Sequence, residues 1–372
     1  MLRYRIGSAG RRASAHSSET VATDRLKHVR DGATLASTDD SIYDTRCGQS
    51  IMEESRRTSK TGLNGMSPEE AFAVLGDQTR LNIVRVLWTA GVVHEYDDLD
   101  DSASTISFSE LRRRVDVRDN GRFNYHLSKL VPHFVWKTEE GYRLSGAGKK
   151  LARTVVAVAG GHDVDLSGEM DTECPVCGAE ISATYEDQWL RFTCTECGGL
   201  FGDAAPSGAL LNAPFPAPGL VGRTPDGALR TELYRCMLDM TSMMQGVCPE
   251  CASVVEGTLS VCDDHDTHGG RCRACGTPFV AWGELRCDSC RYAKRLPVEL
   301  CVMGLAPVIG FLYARDVNVL TPSLDELVEL IQTQMRTTVA ENPLRVVTVI
   351  GATDRLSLTL DEHLTVVDCS ES

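Results

Sequence analysis

Lysine is scarce in this chain. Seven of its 38 cationic side chains are lysine and the rest arginine, set against 52 acidic residues for a formal net charge of -14. No apolar run reaches the ~18 residues that a membrane-spanning helix needs. The longest, Leu300 to Ala314, carries a proline and two glycines and is expected to be buried helix. The N-terminus lacks the apolar stretch of a secretory signal, so a cytosolic chain with no membrane partner is expected. Cysteine is missing from residues 48–173, which excludes thiolate chemistry from that segment, although the chain has 15 cysteines in all.

What is present points to several folded units. A length of 372 residues exceeds one ordinary core, and a hydrophobic content of 42% is enough to build two or three. Charge is unevenly spread. Residues 1–62 carry 11 basic and 8 acidic side chains, residues 63–158 carry 13 of each, and residues 159–372 carry 14 basic and 31 acidic. Many acids with few lysines resemble the composition of cytosolic proteins from halophilic archaea. At molar salt the Debye length falls to ~3 Å, so binding to a polyanion there has to rest on close contacts.

Residues 1–62 are rich in Ser, Arg and Thr with no sustained hydrophobic period, and disorder is expected. Order begins at "MSPEEAFAVL", where Ser67, Pro68 and Glu70 form a capping box with proline at the first helical position. A second helix is expected to bury Leu81, Val84, Leu87 and Trp88. "ISF" reads as a short strand, and Ser109 as the cap of "ELRRRV", with Leu111 and Val115 inward. After a turn at 116–119 comes a helix in which Phe123, Leu127 and Leu130 keep helical spacing and make the core stripe. That leaves Arg122, Asn124, Tyr125, Ser128 and Lys129 outward, with Asn120 at the start. "HFVWK" and "YRLS" form a hairpin around Gly141, and "SGAGKKLARTVVAVA" a closing helix.

This order of elements resembles ArsR-type winged helix-turn-helix regulators. The resemblance is carried by "FAVLGDQTRLNIVRVL", "FSELRRRV", "FNYHLSKLV" and "EEGYRLSGAGKKLA", and covers about a quarter of the chain. It implies that the helix from Asn120 to Leu130 enters the major groove of double-stranded DNA and that the hairpin touches the neighbouring backbone. The charge pattern agrees. Between Glu110 and Arg153 there are eleven cations against five acids, inside an acidic molecule. Asn124 and Ser128 suit base edges, while Arg112, Arg113, Arg118, Lys137, Arg143 and Lys149 suit phosphates. Many ArsR-type metal sensors carry cysteines just before the recognition helix, and this chain has none there. His126 is expected to pack in the core.

Five C-x-x-C pairs dominate the C-terminal half, and that spacing clamps a metal ion rather than bridging distant loops. Cys174 and Cys177 precede Cys194 and Cys197 by a zinc-ribbon interval, with "EISATY" and "WLRFTC" as the strands between. Further on, sequential grouping assigns Cys248, Cys251, Cys262 and His265 to a second site and Cys272, Cys275, Cys287 and Cys290 to a third. An interleaved pairing of first with third pairs is the alternative. Closed four-cysteine sets leave no coordination position for substrate, so up to three structural Zn ions and no enzymatic role are expected.

The expected fold class is therefore α+β. It comprises the extension 1–62, a winged helix-turn-helix at 63–158, a zinc ribbon at 170–202, a linker and amphipathic helix at 203–245, two further ribbons at 246–295 and a small α+β domain at 296–372. That helix carries Leu229, Leu233, Met237, Met240 and Met244 as a core or dimer stripe. The whole resembles haloarchaeal regulators, and the expectation is a sequence-specific transcriptional regulator, a homodimer, whose zinc-ribbon and α+β region binds an effector, a protein partner or a second protomer. The alternative is a basal factor similar to archaeal transcription factor E, binding polymerase or promoter DNA with little sequence preference.

Overall fold

A computed structural model of the protein describes residues 66–90, 105–159, 166, 168–266, 270–340 and 343–372. The expectation for 1–62 lies outside these residues. The described chain mixes helix and strand, and its buried apolar residues fall into two clusters, one from Met66 to Ala152 and one from Cys174 to Leu364.

The first cluster is built by α1 (Pro68–Leu75), α2 (Gln78–Ala90), α3 (Phe108–Val115), α4 (Asn120–Leu130), a hairpin of β1 (Val135–Lys137) and β2 (Tyr142–Leu144), and α5 (Gly146–Ala159). The capping box of α1 forms as expected: Ser67 Oγ accepts from the Glu70 N–H, and the Ser67 N–H donates to the Glu70 carboxylate. Asp77 starts α2 by accepting from the N–H groups of Thr79 and Arg80 at 2.9 and 3.2 Å. Those two bonds, with His126 nearby, outweigh the effect of burial and hold the Asp77 carboxyl below its usual range.

Three details differ from the sequence expectation. The buried face of α2 is Ile83, Val84, Val86 and Leu87, whereas Leu81 is exposed. Apolar residues at five of the six positions from 83 to 88 blur the helical period there. The "ISF" strand shrinks to a single bridge between Ile106 and Tyr142. The cap of α3 is Ser107 rather than Ser109, because the helix starts at Phe108. The bridge also explains Gly141, where a Cβ would stand 2.2 Å from the Ile106 carbonyl oxygen. Phe108 meets Phe123 edge to face at 5.1 Å, over a floor of Leu111, Leu127 and Leu130.

The second cluster joins three antiparallel sheets around one helix. β3 (Ile181–Glu186), β4 (Trp189–Cys194) and β5 (Ala209–Pro214) form the first sheet. β5 falls in the stretch expected to be a linker. The run "ALLNAP" completes the sheet by pairing with β4, and Pro and Gly occupy its flanks instead of breaking it. α6 (Pro225–Met244) follows, burying Leu229, Leu233, Met237, Met240 and Met243. The second sheet is β6 (Val255–Val261), β7 (Ala281–Cys287) and β8 (Ala293–Pro297).

The apolar run from Leu300 divides into α7 (Val298–Val302) and α8 (Ala306–Tyr313) at Gly304, whose missing Cβ lets the α6 backbone at Met240 approach. α9 (Leu324–Glu329) continues through a wider turn at Leu330–Gln334 into β9 (Met335–Ala340). β10 (Arg345–Ile350), β11 (Leu356–Leu360) and β12 (Val366–Glu371) complete a meander ordered β12-β11-β10-β9. Leu190 and Phe192 of β4, the α6 stripe, Val255 and Leu285, and Val346 and Leu358 belong to one buried cluster. Ribbons, helix and end sheet thus share a core in place of the separate units expected at 170–202, 203–245, 246–295 and 296–372. Among the described residues no helix is long and apolar enough to cross a membrane.

Candidate metal centres and the exposed face of α4

Four of the five C-x-x-C pairs fold alike. In each, the N–H of the residue after the second cysteine donates to the carbonyl of the first: Gly178 to Cys174, Ala252 to Cys248, Gly276 to Cys272 and Arg291 to Cys287, at 2.7 to 3.0 Å. The first cysteine's own N–H then donates to the residue beyond: Ala179, Ser253, Thr277 and Tyr292. The residue between is left-handed, with φ of 73° at Gly178, 60° at Ala252, 73° at Gly276 and 64° at Arg291. Glycine takes that angle without cost, and the alanine and arginine take it against a steric penalty. The turn points two sulfurs in one direction. Backbone N–H groups also face the thiols, as from Glu196 and Cys197 to Cys194 Sγ at 3.4 and 3.2 Å.

Three clusters result. Cys174, Cys177, Cys194 and Cys197 form one, at the foot of the β3–β4 hairpin. Cys248, Cys251, Cys287 and Cys290 form the second, and Cys262, His265, Cys272 and Cys275 the third. In each, the ligand atoms all lie within 4.8 Å of one another. Cys177–Cys194, Cys248–Cys290 and Cys251–Cys287 are 3.5 Å apart, Cys174–Cys197 is 3.7 Å and Cys262–Cys272 is 4.0 Å. Four thiolates roughly 2.3 Å from a tetrahedral Zn²⁺ sit about 3.8 Å apart, so the donor sets fit that ion. His265 Nδ1, 3.5 Å from Cys275 Sγ, is the single nitrogen donor. The thiols are electrostatically unequal. Burial resists ionisation of Cys194, but the N–H groups of Cys197 and Glu196 and the adjacent thiols bring it down to about 6. Burial pushes Cys174 up to about 12.

The grouping in residues 248–290 corrects the sequence expectation. Neither sequential nor interleaved pairing occurs; the sites are nested. β6 and β7 pair with Val255 opposite Cys287 and Val261 opposite Ala281. The ladder folds Cys248 and Cys251 back onto Cys287 and Cys290 at the open end of the hairpin, and its connecting loop holds Cys262, His265, Cys272 and Cys275.

Among the described residues, Cys236 and Cys301 belong to none of the three clusters. Burial holds both in the protonated form, Cys301 up at about 12. A residue the sequence reading missed is Asp226 in the first turn of α6, 6% exposed. It accepts from the N–H groups of Asp171 and Thr172 and from the Thr172 hydroxyl at 3.0, 3.1 and 2.5 Å, tying the helix to the segment that leads into Cys174. Burial raises its carboxyl pKa, yet these donors more than compensate and leave it lowered.

On α4 the residues separate cleanly. Phe123, His126, Leu127 and Leu130 are buried, and Asn120, Arg122, Asn124, Tyr125, Ser128 and Lys129 are exposed. His126 is packed as expected, its Nδ1 3.3 Å from Asp77 Oδ1. Lys129 lies over the Tyr125 ring, and the Ser128 hydroxyl donates to the Tyr125 carbonyl at 2.8 Å. Arg118 and Lys137 are exposed.

Three of the expected phosphate contacts have other occupations. Arg112 donates to the carbonyls of Val117 and Arg118 at 3.3 and 2.7 Å and braces the α3–α4 turn. Arg113 forms a two-bond pair with Glu110, which with Arg114 holds that carboxyl near 2. Arg143 is buried, with its guanidinium over the Trp136 ring at 4.7 Å. Lys149 is half-buried in the first turn of α5.

The arrangement defines a mixed α and β protein with three cysteine-rich clusters whose donors fit a metal ion. Residues 171–366 match the family described as domain of unknown function (DUF7351), and the chain belongs to that family. Residues 68–155 match a second family, described as domain of unknown function (DUF7347). The boundaries of the two matches fall close to those of the two buried clusters. No curated protein and no solved structure matches the chain.

Proposed function

We propose that the protein is a sequence-specific DNA-binding transcriptional regulator of winged helix-turn-helix type, carried on a zinc-stabilised C-terminal region. The observation that carries this reading is the division of α4, with its apolar stripe fully buried and Arg122, Asn124, Tyr125, Ser128 and Lys129 turned to solvent. The helix is preceded by a braced turn and followed by the β1–β2 hairpin, the order in which such proteins present a recognition helix and a wing. Asn124 and Ser128 meet base edges; Arg118, Arg122 and Lys137 meet phosphates. Arg112 serves the reading indirectly by fixing the turn.

A homodimer suits this role. Val155, Val156 and Val158 on the last turns of α5 are exposed, an apolar strip that a second copy would cover. The three metal clusters are structural: each offers four protein donors and no open position.

The test is selection of binding sites from random duplexes by the full-length zinc-loaded protein in molar potassium chloride. An enriched inverted repeat supports the regulator. Recovery of duplexes with no shared sequence overturns it and favours the basal-factor alternative.

A further inference from the structure

A cleft of about 920 Å³ opens where β5, α6, β8, α7 and α9 meet. Its size lies within the range of roughly 300–1,000 Å³ typical of small-molecule sites. Most of the wall is apolar, from Leu211, Leu233, Met237, Leu296, Leu327 and Met335. Phe201, Phe279 and Trp282 also line it. Their ring centroids are 5.9 to 6.4 Å apart, and Phe279 stands at 88° to Trp282, so ring faces and edges form a corner.

The charged groups in the wall are mostly matched. Glu232 accepts from Arg235 at 2.9 Å. Lys294 lies 3.1 Å from Asp239, which also accepts from the Tyr292 hydroxyl at 2.8 Å. Arg295 stacks over Trp282 at 5.0 Å. Glu299 differs. Its residue is 6% exposed, yet its Oε2 is buried with no hydrogen-bond partner. Burial pushes its carboxyl pKa up, against the opposing effect of a bond from Thr337. A buried carboxylate oxygen without a donor costs free energy that a bound donor recovers, and an ammonium supplies both the bond and the charge. The ring corner takes the apolar body of such a ligand. His265 is part of the wall as well.

We infer that this cleft is a binding site for a small organic ammonium ion with an apolar body, its nitrogen on Glu299 and its body against Phe201, Phe279 and Trp282. The inference is independent of the DNA reading, since it concerns only the C-terminal cluster. The wall of the cleft includes β5 of the first sheet, His265 and Gly270 of the β6–β7 connection, and α9 with the start of β9.

The experiment titrates the zinc-loaded full chain with 2-phenylethylammonium, with 3-phenylpropionate as the size-matched anion, followed by saturation-transfer NMR of the probe and by tryptophan fluorescence. The expected result is saturable binding of the ammonium and at least tenfold weaker binding of the anion. Glu299→Gln is expected to weaken the ammonium at least tenfold, with folding checked by circular dichroism. Ala205→Leu, at a half-buried position in the wall, narrows the cleft and leaves Glu299 intact, and is expected to weaken the probe comparably; it decides the matter should the buried substitution unfold the protein. Absence of saturable ammonium binding, equal binding of the anion, or unchanged affinity in a folded variant overturns the inference.

Discussion

Val255 stands opposite Cys287 in the β6–β7 ladder, and this register decides which cysteines share an ion. Because antiparallel pairing brings together residues whose numbers have a constant sum, the outermost pairs must meet and the inner pairs must close within the loop. Loading with ¹¹³Cd therefore gives two signals of the four-sulfur kind and one of the three-sulfur, one-nitrogen kind. Cys248→Ser should alter a four-sulfur signal and leave the mixed one in place. Sequential pairing makes the opposite forecast, loss of the mixed signal.

Removal of metal should act on one cluster alone. Structural Zn²⁺ contributes an apparent ~10–16 kcal/mol to folding in small metal domains, and three clusters at the sheet ends of residues 174–290 tie that contribution to the shared core. Chelation is expected to abolish amide protection in residues 171–366, while α1 to α5, whose core of Ile83, Leu111 and Phe123 holds no ligand, keeps its protection. Hydrogen exchange read by mass spectrometry reports both regions at once. Retained protection after complete metal loss would refute a structural role for the ions.

Asp226 should confer pH-dependent stability. Its folded pKa is depressed, so its contribution is fully present above the unfolded value of about 3.9 and is lost as pH falls through the folded value. Asp226→Asn keeps the shape but weakens the bonds to Asp171 and Thr172. The variant should melt below the native protein at pH 7, with the gap closing as the pH is brought under about 4. A gap independent of pH would mean that charge plays no part.

Arg112 and Arg122 separate turn stability from DNA affinity. Arg112→Ala removes two bonds to the turn carbonyls and should lower stability by about 1–2 kcal/mol, a half-buried version of a charged hydrogen bond. Arg122→Ala, on the exposed face, should leave the melting curve unchanged and weaken all duplexes alike. Thermal melts and fluorescence anisotropy distinguish the two outcomes.

Asn124 carries the specificity forecast. Asn124→Ala should cost about 1–3 kcal/mol on the selected site and relax choice at one base position, whereas Lys137→Ala should reduce the salt slope by about 1 without changing that choice. Equal losses on selected and scrambled duplexes for Asn124→Ala would remove it from base readout.

Local signals written in the sequence account for much of this protein. The Ser67–Glu70 box, the Asp116–Asp119 turn, the Phe123–Leu127–Leu130 stripe and the strands around Cys174–Cys197 follow from spacing and capping, which act over a few residues. The metal-ligand identities were legible for the same reason, since each knuckle closes its own bonds within a short turn. Long-range pairing was not. Which knuckles meet depends on the β6–β7 register, and the fate of Arg112 and Arg143 depends on which carbonyls and rings the tertiary fold brings within reach. Glu299 in "LPVELCVMG" carried no local signal in the sequence; only packing of α6, α7 and three sheets into one core made a cleft around it. Sequence determined the local turns because their bonds close within the turn; the tertiary structure decided the pairings because their energies arise between residues tens of positions apart.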